Sequence, residues 1–107
     1  MGKERDRLSE VRGFAKRVGE KHRVERVILF GSAARGEEKE DSDFDLILVS
    51  EEFKGKSALK RPVPFYLEWD LRRPVDFLCY TPEEFNRLKR GVTIVREAVR
   101  NGIEIEV

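Results

Sequence analysis

The chain is poor in the residues that announce many protein classes. It has one cysteine among 107 residues, so Cys79 cannot form an internal disulfide. That suits a reducing compartment, and the cytoplasm is the expected location. It has no apolar run long enough to span a membrane and no recognisable leader segment. It lacks a charge excess of either sign: 22 Lys+Arg against 21 Asp+Glu leave a formal net charge of +1. Bulk charge therefore gives no case for non-specific nucleic-acid binding. It also lacks room. At 107 residues, one domain spanning residues 1–107 is expected, with no separate substrate-binding domain. What is abundant is charge itself, 40% of the chain in evenly mixed signs. This suggests a surface dense with ion pairs, a tendency of hyperthermophile proteins.

One stretch stands out. The apolar run Val27–Phe30 stops at Gly31-Ser32. Asp43 and Asp45 follow, one residue apart, and lead into a second apolar stretch, Leu46–Val49. The pattern predicts a strand, a glycine turn, a short helix over 33–40 and a strand over 43–50 that begins with two carboxylates. Alternate strand residues share a face, so Asp43 and Asp45 point the same way and Phe44 points the other. Two like charges about 4 Å apart repel by roughly 4 kcal/mol at an effective dielectric near 20. A divalent cation would relieve that repulsion, and magnesium takes few protein ligands while borrowing the rest from phosphate and water. Gly31 would let the backbone approach a phosphate, and Ser32 offers a hydroxyl and an N–H at a helix start. Taken singly, a Gly-Ser turn is ordinary and an Asp-x-Asp pair is often a solvated edge. Together they stand at strand ends, where α/β proteins build their crevices.

The string GSAARGEEKEDSDFDLILV, residues 31–49, resembles the signature of the DNA polymerase β-like nucleotidyltransferase superfamily. It is most similar to the minimal nucleotidyltransferases of bacteria and archaea, short proteins often partnered with HEPN-domain proteins in toxin–antitoxin systems. The resemblance implies an α/β (α+β) fold: a small mixed sheet flanked by helices. It implies magnesium-dependent transfer of a nucleoside monophosphate from ATP or another nucleoside triphosphate to a hydroxyl, with pyrophosphate leaving. Asp43, Asp45 and a third carboxylate, Asp76, would be the catalytic and metal-binding residues, and the resemblance implies two Mg2+ ions. Gly31 and Ser32 would hold phosphates, and Arg35 would add a charge there, a solvated arginine being the alternative. The acceptor implied is a tyrosine of the HEPN partner. Two other readings remain open: a catalytically weak antitoxin acting by protein–protein contact, and a small-molecule (antibiotic) nucleotidyltransferase, disfavoured by the missing acceptor domain. Oligomeric state is left open, and no membrane partner is expected.

The rest of the chain reads as scaffold. Leu8, Val11, Phe14, Ala15 and Val18 have helical spacing within residues 3–21. His22, the sole histidine, is expected at a helix end rather than as a base. A first strand is expected over 24–30. Lys54, Lys56, Lys60 and Arg61 form a basic cluster, either a solvated face or a contact for a triphosphate or acidic partner. A helix starting near Pro64 should bury Phe65, Leu67 or Leu71, and Trp69, with core packing favoured over base stacking. Residues 74–80 should be a third strand carrying Asp76, which a strand tolerates poorly without partners. Thr81-Pro82-Glu83-Glu84 is a capping-box start. Its helix should bury Phe85, Leu88 and Val92, break at Gly91, resume through Ile94, Val95, Ala98 and Val99, and end at Asn101-Gly102. Ile103–Val107 alternates as a terminal strand. Cys79 is expected as a small buried apolar group.

Overall fold

The computed structural model describes residues 3–31, 34, 43–69 and 74–107. The elements run α1 (Lys3–Lys21), β1 (Arg26–Phe30), β2 (Phe44–Val49), a single 3-10 turn (Glu51–Phe53), α2 (Val63–Glu68), β3 (Val75–Tyr80), α3 (Pro82–Leu88), α4 (Ile94–Asn101) and β4 (Ile103–Ile105). The four strands form one sheet in the order β3-β2-β1-β4. β1 lies antiparallel to β2 and to β4, whereas β2 and β3 are parallel. The expected mixed sheet flanked by helices is what forms. β1 and β2 each start later than the apolar patterning suggests, at Arg26 and Phe44, and the expected helix over 33–40 falls almost wholly outside the described residues.

Strand alternation sorts the apolar residues into two cores. On one face Val27, Leu29, Phe44, Leu46, Leu48, Phe77 and Ile105 meet Val11, Phe14, Ala15 and Val18 of α1. On the other, Ile28, Phe30, Ile47 and Val49 meet Phe85 of α3 and Val95 and Ala98 of α4. β1 and β2 are apolar on both faces because both faces are covered. Aromatic rings close the α1 side. Phe14 stacks on Phe77 at 5.5 Å between centroids, and Trp69 meets the Phe14 ring edge-on at 5.0 Å. Such pairs contribute about 0.5–1.5 kcal/mol each beyond the area they bury.

α2 corrects one expectation. Phe65 is buried and Trp69 packs against the core, but Leu67 is 82% exposed. A helix turns about 100° per residue, so Leu67 lies roughly 200° round from Phe65 on this one-turn helix. Val92 is also outside the core, in the turn between α3 and α4, and Ile94 and Val99 stay half-exposed on α4. Leu71 lies outside the described residues.

The capping box forms as the sequence predicts: Thr81 Oγ1 accepts from Glu84 N at 3.1 Å, and Glu84 Oε1 accepts from Thr81 N at 2.9 Å. The same carboxylate receives Arg61, whose Nη1 and Nη2 lie 2.7 and 3.2 Å from its two oxygens. Arg61 also donates to the carbonyls of Lys56 and Cys79, at 2.9 and 3.2 Å. Of the basic cluster, therefore, Lys54, Lys56 and Lys60 are exposed, while Arg61 turns inward as a tie between the loop and α3. His22 sits at the end of α1, with Nδ1 3.3 Å from Glu52 Oε1 and its ring 4.9 Å from that of Phe65.

Candidate active site

Three strands bring the acidic residues together at one edge of the α3–α4 face. Phe30, the last residue of β1, pairs with Asp45 on β2, and Asp45 pairs in turn with Asp76 on β3. Paired positions in neighbouring strands share a face, so Phe30, Asp45 and Asp76 form one row across the sheet. The row stands at the C-terminal end of β1 and the N-terminal ends of β2 and β3. Asp43 precedes β2 by one residue. It is exposed, as is Asp76, while Asp45 is half-buried.

Gly31 completes the row. Its φ is +77°, a left-handed conformation that side chains bearing a Cβ disfavour. A Cβ there would stand 2.6 Å from Asp45 Oδ2. The turn thus favours glycine for its backbone angle, and any side chain there would push the Asp45 carboxylate aside.

The electrostatics follow from this crowding. Burial raises the Asp45 pKa above the ordinary carboxylate value, and the charges of Asp76 and then Asp43 raise it further. The hard oxygens of such carboxylates are the donors a magnesium ion takes. Among the described residues, no three Asp, Glu, His or Cys side chains already converge as a metal-binding group. Ser32 and Arg35 lie outside the described residues. His22, tied to Glu52, takes no place beside the acidic row. Burial pushes the Cys79 thiol up to about 12, which leaves it an inert packing group.

A cavity of about 290 Å³ opens beside the row, on its β1 side. Phe30, Gly31 and Asp45 form one wall, and α4 supplies the other through Ile94, Glu97, Ala98 and Asn101, with Gly102 at its end. Gly102 allows the close approach: a Cβ there would lie 2.4 Å from Ala98 O and 2.8 Å from Leu29 O. The α4 residues escaped the sequence reading, in which Asn101-Gly102 is only a helix stop. Their signal is the spacing 94, 97, 98, 101 along one side of a helix, where two polar residues alternate with Ile94 and Ala98.

A mixed sheet with helices on both faces, and carboxylates beside a glycine turn at its edge, defines a small α/β protein. The nucleotidyltransferase domain family model matches residues 11–104, and the chain belongs to that family. It is 43% identical over 60 residues to a "putative protein adenylyltransferase" of Methanocaldococcus jannaschii, a match covering 56% of this chain and 63% of that protein. The chain thus spans under two thirds of that relative's length. A solved structure from Sulfolobus solfataricus, a "putative nucleotidyltransferase", shares the fold with a TM-score of 0.66 at 22% identity. The likeness covers 97% of this chain and 87% of that one. No helix among the described residues is long and apolar enough to cross a membrane.

Proposed function

We propose that the chain transfers AMP from ATP to a hydroxyl group of a protein, with a tyrosine of a HEPN-domain partner as the acceptor. The observation that carries this reading is the pairing of Asp45 with Asp76 beside the Gly31 turn. The family supplies nucleotidyl transfer. The choice of AMP and of a protein acceptor draws on the resemblance of residues 31–49 and on the name of the M. jannaschii relative.

Each residue has a task. Asp43, Asp45 and Asp76 would hold magnesium through their carboxylate oxygens. When bound, magnesium offsets the mutual repulsion of the carboxylates and the charge of the triphosphate. Gly31 admits phosphate oxygens to the backbone, with Ser32 and Arg35 as further phosphate contacts. Asp76 faces solvent on the outer side of the row and takes the proton of the incoming hydroxyl. The hydroxyl oxygen bonds to the α-phosphorus as the bond from that phosphorus to the bridging oxygen breaks. Pyrophosphate leaves with the electron pair, and the required in-line geometry is mainly a matter of positioning.

Calorimetric titration with ATP tests the donor half, with magnesium and with chelator, on the wild type and on an Asp43→Asn, Asp45→Asn double variant. The expected result is magnesium-dependent binding that the variant loses. ATP carrying a labelled α-phosphate tests the acceptor half on a HEPN-domain protein encoded beside this chain. Label on a tyrosine supports the proposal. Neutralisation of that protein without label, undiminished in the double variant, would replace it with an antitoxin acting by contact.

A further inference from the structure

We propose that the cavity between β1 and α4 receives the base of the donor nucleotide and that Glu97 and Asn101 hold its hydrogen-bonding edge. This rests on the nucleotidyl-transfer reading above and specifies the substrate of the same site.

The topology divides the ground around Asp45. Asp76, where the acceptor hydroxyl arrives, lies on β3. The cavity lies on the opposite side of Asp45, over β1 and the end of α4. With the acceptor on one side, the space on the other belongs to the donor. Gly31, the expected phosphate turn, is part of the cavity wall, so one molecule can reach from that turn into the cavity.

Charge then says which end of the donor enters. The cavity is closed by the C-terminal turn of α4, where the unpaired carbonyls give a partial negative charge. Glu97 adds a full one. Phosphates are repelled there, and an uncharged base is not. At about 290 Å³ the space is at the small end of ligand pockets, which begin near 300 Å³. Phe30 and Ile94 provide apolar surface for its faces.

The edge pattern follows from two side chains one helical turn apart. Asn101 Nδ2 donates to Glu97 Oε1 at 2.6 Å. The amide keeps a second N–H to donate, and the carboxylate keeps lone pairs to accept. An acceptor beside a donor meets the amino group and neighbouring ring nitrogen of adenine or cytosine, and, with the base turned over, the N–H and neighbouring carbonyl of guanine or uracil. Both side chains are exposed, so their replacement should leave the fold intact.

The test is titration of magnesium complexes of ATP, CTP, GTP, UTP and inorganic tripolyphosphate against the wild type and a Glu97→Ala, Asn101→Ala variant, with circular dichroism as the folding check. The wild type should bind each nucleotide more tightly than tripolyphosphate. The variant should bind ATP roughly tenfold more weakly, as expected for one or two lost hydrogen bonds, with its tripolyphosphate affinity unchanged. Unchanged ATP binding in the variant overturns the proposal, and so does an equal loss of tripolyphosphate. A wild type that binds no nucleotide and no tripolyphosphate overturns the nucleotidyl-transfer reading itself, and the pocket assignment with it.

Discussion

Without metal, Asp45 works against the fold. Its pKa is raised by burial and by the charges of Asp76 and Asp43. A carboxylate with a raised folded-state pKa binds more protons folded than unfolded between the two pKa values. Its unfavourable contribution therefore grows as pH rises from about 4 through the folded-state pKa and is fully present above it. Asp45→Asn should leave the metal-free protein at least as stable as wild type at pH 7, with the difference vanishing below about pH 4. Thermal melts in chelator across that range measure it, and a fall of several degrees at pH 7 would make Asp45 a structural residue instead. The acidic row also shows what was legible residue by residue. Asp43, Asp45 and Asp76 stood out because carboxylates interrupt apolar strands. Gly31 stood out as a turn that could admit a phosphate, but its closest constraint, the 2.6 Å approach of Asp45 Oδ2, depends on two strands that sequence alone cannot register against each other.

Elements with strong local signals were read well, and their partners were not. Thr81-Pro82-Glu83-Glu84 announces a capped helix, because both halves of the box lie within four residues. That Glu84 also holds Arg61, 23 residues away, has no local signature, so Arg61 looked like one more surface base. The break at Gly91 and the resumption at Ile94 are legible, and α4 does start there; its cap, Thr93 accepting from Arg96 N at 3.1 Å, is not read from the sequence. The Arg61 tie is testable. Its hydrogen bond lowers the Glu84 pKa, so the pair's contribution is present above about pH 4.5 and fades as pH falls through the lowered value. Arg61→Met should destabilise by about 1–3 kcal/mol at pH 7, the range for lost charge-assisted hydrogen bonds. Urea denaturation should find the loss shrinking towards acid pH. A pH-independent loss would assign Arg61's role to its bonds with the Lys56 and Cys79 carbonyls and to packing of its stem instead.

At the scale of the molecule, one sheet serves two cores. β2 sends Phe44, Leu46 and Leu48 to the α1 side and Ile47 and Val49 to the α3–α4 side, and Asp45 rides on the second face at its edge. Neither core can lose β1 or β2 without undoing the other, and the acidic row exists only while three strands keep register. Unfolding should therefore be a single cooperative step, as is usual for domains of this size. Trp69, the sole tryptophan, reports the α1 side from its edge-on contacts with Phe14 and Phe77, while far-ultraviolet circular dichroism reports the helices on both sides. The two melting curves should share one midpoint. Magnesium and ATP should raise both together, because a ligand held by the acidic row binds only the registered sheet; at a hundredfold excess over Kd the gain is about 2.7 kcal/mol. Separate midpoints, or a ligand shift seen by one probe alone, would mean that the α1 core and the site-bearing face fold independently.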